Sequence, residues 1–124
     1  MKYDKWKELV LDIHNCRYVP CNRIFLKNYL DALCDLIDME QEDLHYWDYE
    51  GDSEGYEKAA DHLKGISAIQ FIKTSNITIH TIDVPRKVFI NVFSCKDFDV
   101  EKVCEFTQEF FAGEIMNKIA IERR

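Results

Sequence analysis

Six segments of the chain have the residue patterns of β-strands. The first, "ELVLDIHNC" (Glu8–Cys16), alternates between apolar and polar residues, as a strand with one buried face does. The second, "DLHYWDYE" (Asp43–Glu50), is rich in the aromatic residues that favour strands. The other four segments are "ISAIQFIKT" from Ile66, "NITIHTID" from Asn76, "KVFINVFSC" from Lys87 and "EIMNKIAIERR" from Glu114. Asp83–Arg86, with Pro85, is the predicted turn before the fifth.

Two segments have the spacing of amphipathic helices instead. From Asn22 to Met39, apolar residues recur every three or four positions, and Asn22 is a suitable N-cap. Phe98–Gly113 is the second predicted helix, capped by Asp97 or Asp99 and ended by Gly113. The polar segment Gly51–Gly65 predicts a loop with a short helix around Glu57–Leu63.

The resulting order, β-α-β-β-β-β-α-β, predicts one α+β domain over residues 1–124. Short connections favour an antiparallel sheet with both helices packed on one face. The strands Ile66–Ile72 and Val88–Phe93 carry apolar residues on both faces. We therefore expect the face away from the helices to be covered as well, by a second copy of the chain in a homodimer.

Composition excludes several classes of partner. The net charge of -7 argues against nucleic acid and against an anionic membrane surface. The N-terminal segment has no apolar run of signal-peptide or membrane-spanning length, so we expect a cytoplasmic protein. The five cysteines include no C-x-x-C pair, which predicts free thiols. His14, Cys16 and Cys21 fit no standard zinc spacing, and no metal is predicted.

Three chemically capable residues lie on or beside two adjacent predicted strands, which we expect to pair. Ser75 begins one strand, His80 lies within it and Cys95 ends the next. Serine, histidine and cysteine in proximity could perform nucleophilic or acid–base catalysis. A structural reading is also open, because serine is common at strand ends and cysteine is often buried.

The same stretch resembles the small prokaryotic form of the S-adenosylmethionine decarboxylase family. That family has a motif close to E-S-H-x-x-I-H-T-W-P-E, followed by a strand that ends in D-x-F-T-C. Thr74–Thr81 and Asn91–Cys95 match it with the serine-to-histidine and serine-to-cysteine spacings intact. Gly65-Ile66-Ser67 matches the family's upstream G-V-S. The resemblance extends over nearly the whole chain and implies an αββα sandwich on dimerisation.

The resemblance implies a self-processing enzyme of polyamine (spermidine) synthesis. In such an enzyme the Ser75 hydroxyl attacks the carbonyl of Thr74, and β-elimination splits the chain into 1–74 and 75–124. Ser75 then becomes a covalent pyruvoyl group that forms a Schiff base with the α-amine of a small-molecule substrate. Ser67 would hold the tetrahedral intermediate of processing and His80 would remove the Cα proton of Ser75. Cys95 would donate a proton after carbon dioxide leaves.

Some family positions differ in this chain. Thr74 replaces the glutamate before the serine, Asn76 replaces the histidine after it, and Lys96 replaces the glycine after the cysteine. Val84 stands where the family has a glutamate that binds the ribose, and Asn91 where it has an aspartate. These differences leave two alternatives open beside S-adenosylmethionine decarboxylation.

The first alternative is a pyruvoyl-dependent decarboxylase of a basic amino acid, ornithine or arginine. Its distal cation would bind Asp83 or acids of the segment Asp52–Glu57, although a solvated turn also explains these residues. The second alternative is an unprocessed, non-enzymatic relative that binds an active subunit.

Overall fold

A six-stranded antiparallel sheet forms the centre of the protein in a computed structural model that describes residues 5–124. The strands are β1 (Trp6–His14), β2 (Gln41–Trp47), β3 (Gly65–Ile72), β4 (Ser75–Ile82), β5 (Lys87–Ser94) and β6 (Glu114–Arg123). The helices are α1 (Arg23–Leu36), α2 (Ser53–Lys58) and α3 (Val100–Phe111). The order across the sheet is β2-β3-β4-β5-β1-β6. The predicted α+β class and the antiparallel sheet are confirmed.

One face of the sheet is buried against α1 and α3. Along β1 the buried positions alternate at Leu9, Leu11 and Ile13, and along β4 at Ile77 and Ile79. These side chains form one hydrophobic core with the apolar faces of the two long helices. Since strand side chains alternate in direction, the intervening residues point to the opposite face, which we call the open face.

The two long helices contact each other through aromatic rings and one buried hydrogen bond. Tyr29 of α1 stacks on Phe106 of α3 with ring centroids 5.5 Å apart. The Tyr29 hydroxyl is 2.8 Å from Thr107 Oγ1, and both residues are fully buried. Two buried hydroxyl groups therefore satisfy each other inside an otherwise apolar interface.

Removal of the Tyr29 hydroxyl should destabilise the fold. In Tyr29→Phe the Thr107 hydroxyl loses its buried partner, and we expect the free energy of unfolding to fall by about 1–3 kcal/mol. Adding Thr107→Val should cost less than the two single changes together, because no polar group is then left unpaired. Urea unfolding of the four proteins measures this coupling. Strictly additive losses would contradict it.

The segment between β2 and β3 differs from its prediction. The helix runs over Ser53–Lys58, and Asp61–Leu63 is a separate 3₁₀ turn, so the predicted helix around Glu57–Leu63 is wrong in position. The Asp52 carboxylate accepts the Gly55 N–H at 2.9 Å and starts the helix early. Ala59 is extended and ends it.

Side-chain caps begin the two long helices. The Asn22 side chain accepts the Phe25 N–H at 2.8 Å, which confirms the predicted cap of α1. Asp99 rather than Asp97 caps α3, because the Asp97 carboxylate pairs with Lys7.

Gly113 is required for a close approach rather than for the turn itself. Ala112 adopts the left-handed conformation that ends α3, with φ 50°. A Cβ on Gly113 would lie 2.7 Å from Ile13 Cγ2 and 2.8 Å from Cys16 Sγ. In the part of the chain that the structure describes, no helix combines the length and the hydropathy needed to cross a membrane.

Candidate active site

Ser75 is the first residue of β4, immediately after the two-residue turn Lys73–Thr74 that joins β3 to β4. It lies on the buried side of the sheet with 5% of its surface exposed. Its Oγ accepts the N–H of Cys95 at 2.8 Å. The pairing of β4 with β5 is confirmed, and it is this pairing that brings the end of β5 to the start of β4.

Thr74 has a strained backbone. Its φ of 55° lies in the left-handed region, which a β-branched residue rarely adopts. Such a conformation costs about 1–3 kcal/mol and persists only where surrounding contacts enforce it. The carbonyl of this residue forms the peptide bond with Ser75, so the strained residue lies directly before the bond that the sequence prediction marked for cleavage.

Cys95 lies directly after β5, where the thiol faces the same turn. Its Sγ is 3.8 Å from the carbonyl oxygen of Lys73. Burial raises the pKa of the Cys95 thiol, but hydrogen bonds with Thr74 and Ser75 and the charge of Lys96 oppose burial and leave the pKa below its ordinary value.

The other four cysteines have the opposite shift. Burial raises the pKa of Cys16 to about 11, of Cys21 to about 12 and of Cys34 to about 11, and it raises that of Cys104. Cys34 and Cys104 are buried on the apolar helix faces, as predicted for packing residues. Cys95 is therefore the cysteine whose surroundings lower rather than raise the pKa of the thiol.

A cavity of about 550 Å³ opens beside Thr74 and Cys95. It is lined by Trp6, Asp38, Met39, Glu40, Ile72, Lys73, Thr74, Cys95 and Lys96. Its charges are paired, since Lys96 Nζ lies 2.9 Å from Asp38 Oδ2 and Lys73 Nζ lies 3.8 Å from Glu40 Oε2. The cavity has room for a small-molecule substrate, and its paired charges favour neither a cationic nor an anionic one.

Sequence reasoning missed most of this lining. Trp6, Asp38 and Met39 come from the first strand and from the segment after α1. Their proximity to Cys95 results from the sheet order, and no local motif signals it. Lys96 was noticed only as a departure from the family pattern.

The other two predicted site residues form a separate pair. Ser67 and His80 are directly opposite each other on β3 and β4, with Ser67 Oγ 2.7 Å from His80 Nδ1. They lie on the open face, because their neighbours along each strand are buried. The structure thus brings Ser75 to Cys95 and Ser67 to His80, but it does not bring the two pairs together.

Strand geometry separates Ser75 from His80. The two residues are five positions apart on β4, so their side chains point to opposite faces. At about 3.3 Å per residue, their Cα atoms are roughly 16 Å apart. His80 therefore cannot reach the Cα proton of Ser75 in the same protomer.

Asp83 lies at the far end of β4, about 26 Å from Ser75 by the same strand rise. It is buried rather than solvated, and its Oδ2 accepts the Tyr56 hydroxyl at 2.8 Å. It lines a cavity of about 740 Å³ together with Ser53 and Glu57 of the segment Asp52–Glu57. Within one protomer these acids are therefore too far from Ser75 to bind the distal end of a substrate held there.

Metal chemistry has no support among residues 5–124, where no group of three or more histidine, cysteine, aspartate or glutamate side chains is placed to hold an ion. His14 and Cys16 lie at the end of β1 and just beyond it, as a strand reading predicts.

A comparison with protein-family models gives one match, to the model described as S-adenosylmethionine decarboxylase, and it covers residues 7–124. The chain belongs to the S-adenosylmethionine decarboxylase family. A search of curated proteins finds no match. The family match covers β1 from its second residue, the other five strands and every predicted site residue, which confirms the resemblance described from the sequence. Membership of this decarboxylase family indicates a lyase that removes carbon dioxide.

Proposed function

We propose that the chain is a self-processing, pyruvoyl-dependent S-adenosylmethionine decarboxylase, active in polyamine (spermidine) synthesis. The observation that carries this proposal is the contact of Ser75 with Cys95 beside the strained Thr74. One side of the contact supplies a buried hydroxyl directly after a residue with a strained φ angle, and the other supplies a thiol with a lowered pKa.

The residues around Ser75 fit the formation of a pyruvoyl group. The Ser75 hydroxyl would attack the Thr74 carbonyl carbon, the peptide C–N bond would break and an ester would replace it. Loss of the Cα proton of Ser75 would then expel the Thr74 carboxylate and cut the chain. Hydrolysis of the resulting enamine would release ammonia and leave the pyruvoyl end. The strained Thr74 residue lies directly before the bond that this first step breaks.

The pyruvoyl group supplies an electron sink for the departing carboxylate of the substrate. The residues of the chain would do the rest. The cavity beside Cys95 would hold the substrate, and Trp6 offers an aromatic surface to it. The Cys95 thiol, which lies beside the turn that carries the cut, would donate the proton that replaces carbon dioxide.

Ser67 and His80 have a role in this scheme if the protein is a homodimer. Trp6, which lines the cavity, packs against Phe93 on the open face, so the cavity extends towards that face. Large apolar side chains on the open face are exposed: Trp47, Ile69, Phe71, Ile119 and Ile121. Packing two open faces together would bury them and would bring the Ser67–His80 pair of one protomer towards the partner's Ser75.

The two alternatives have less support. A basic amino acid would need an acid near its distal cation, and within one protomer Asp83 and the segment Asp52–Glu57 lie at the other end of β4 from Ser75. A non-enzymatic relative would not require a buried serine, a strained residue directly before it and a thiol with a lowered pKa together. Val84, at the ribose-binding position of the family, is the residue that most favours a changed substrate, since valine cannot bind ribose hydroxyls.

Intact mass spectrometry of the denatured protein tests processing. We expect two fragments, residues 1–74 and 75–124. The second should be lighter by one ammonia than a fragment with an N-terminal serine. Release of carbon dioxide from carboxyl-labelled S-adenosylmethionine, compared with ornithine and arginine, then tests the substrate. A single stable chain of 14.7 kDa would refute self-processing. Release from an amino acid alone would replace the substrate proposed.

A further inference from the structure

Lys96, the residue after Cys95, is bound to Asp38 in the segment that follows α1. Its Nζ donates to the carbonyl oxygen of Asp38 at 2.6 Å and lies 2.9 Å from Asp38 Oδ2. Only 12% of the Lys96 side chain is exposed, in contrast to the exposed ion pair of Lys58 with Glu54. The family pattern has a glycine at this position, and a glycine has no side chain that could form this contact.

The backbone of Lys96 is held as firmly as its side chain. Its N–H donates to Ser94 Oγ at 3.1 Å, and that hydroxyl donates to the Lys96 carbonyl at 2.8 Å. Cys95 lies between these two fixed residues, and its own N–H is bound to Ser75. Movement of Lys96 would therefore change the position of the thiol relative to Ser75.

The charged groups around Cys95 come from three segments. Lys73 belongs to the turn before β4, Asp38 and Glu40 follow α1, and Lys96 belongs to the segment that carries the thiol. The charge of Lys96 lowers the pKa of the Cys95 thiol. Lys73 is not among the groups that shift this pKa, and its Nζ lies 3.8 Å from Glu40 Oε2. Lys96 is thus the cation that is adjacent to Cys95 in the chain and that also lowers the pKa of its thiol.

We infer that Lys96 is a positioning residue for the Cys95 proton donor, held by Asp38 so that the thiol stays beside the turn before β4 with a positive charge next to it. This inference rests on the proposed function for its catalytic meaning. Its geometry can be tested without any decarboxylase activity.

Alkylation of Cys95 by iodoacetamide, followed across pH and located by peptide mass mapping, is the test. Lys96→Met should shift the alkylation profile to higher pH, because loss of the cation raises the thiol pKa. A shift of about half a unit to one unit corresponds to a roughly three- to tenfold slower reaction at neutral pH. Lys96→Arg keeps the charge and should restore the wild-type profile. Lys58→Met, which removes an exposed lysine from an ion pair, should leave the profile unchanged.

The readouts separate the two ideas. Repeating the alkylation in the Ser75→Ala background compares chains that are all uncleaved, whatever the wild type does. An unchanged profile in Lys96→Met would overturn the inference, even if the protein decarboxylates its substrate. A shifted profile in a protein that never cleaves would support the inference and refute the proposed function. Should Lys96→Met fail to fold, an altered profile in folded Lys96→Arg would count against the inference, because its charge is unchanged.

Discussion

Replacing Ser75 with alanine should leave the chain whole and remove its decarboxylase activity completely. The change deletes the only atom that can attack the Thr74 carbonyl in the proposed processing step, and it deletes the precursor of the pyruvoyl group. Intact mass spectrometry should then show one species of 14.7 kDa after any length of incubation. The loss should be absolute rather than graded, because no other residue can become the N-terminal carbonyl.

The matched control for this change is Ser94→Ala. Ser94 is also a buried strand serine, and its Oγ also bonds to backbone near Cys95. Both variants lose one buried hydroxyl of similar structural value, about 1–2 kcal/mol. Ser94→Ala should still be cut between residues 74 and 75. Cleavage of Ser75→Ala at that bond, or failure of both variants to cleave, would contradict a specific role for the Ser75 hydroxyl.

The amino-acid pattern was sufficient for the elements that bury a regular face. The alternation in β1 and the helical spacing of Phe25, Leu26, Tyr29, Leu30 and Leu33 follow from which side of each element meets the core. The ends of helices and strands were harder to predict from the sequence. Asp97 and Asp99 are equally good caps by sequence, and only the contact of Asp97 with Lys7, ninety residues away, decides between them.

The sequence also specifies on which face of the sheet two of the site residues lie. Ser75 and His80 are five positions apart on one strand, and because this number is odd, strand periodicity alone places their side chains on opposite faces. The contact of Lys96 with Asp38 is different, because it joins residues 58 positions apart. It depends on how α1 packs over the sheet, which no local pattern specifies.

Because Ser75 and His80 lie on opposite faces of one sheet, we expect His80 to act on the Ser75 of a partner chain. Two variants that cannot cleave alone should then restore cleavage when they form a mixed dimer. His80→Ala lacks the proposed base and Ser75→Ala lacks the nucleophile, so neither should cleave when expressed alone. In a mixed dimer, the His80→Ala chain keeps its own Ser75 and faces the intact His80 of its partner. We therefore expect co-expression to cleave the His80→Ala chain and leave the Ser75→Ala chain whole, which mass spectrometry of differently tagged chains distinguishes.

The control for this experiment is a partner chain that lacks both the Ser75 hydroxyl and the His80 imidazole. Co-expression of His80→Ala with the double variant Ser75→Ala/His80→Ala should give no cleavage, because the mixed dimer then has no His80 at all. Purification through both tags establishes that the mixed dimer has formed. If such a dimer of His80→Ala and Ser75→Ala stays uncleaved, His80 does not act across the interface. If His80→Ala cleaves by itself at the wild-type rate, His80 has no part in processing. Cleavage of the His80→Ala chain alone in the mixed dimer is the result that requires two protomers, since within one chain the sheet keeps His80 roughly 16 Å from Ser75.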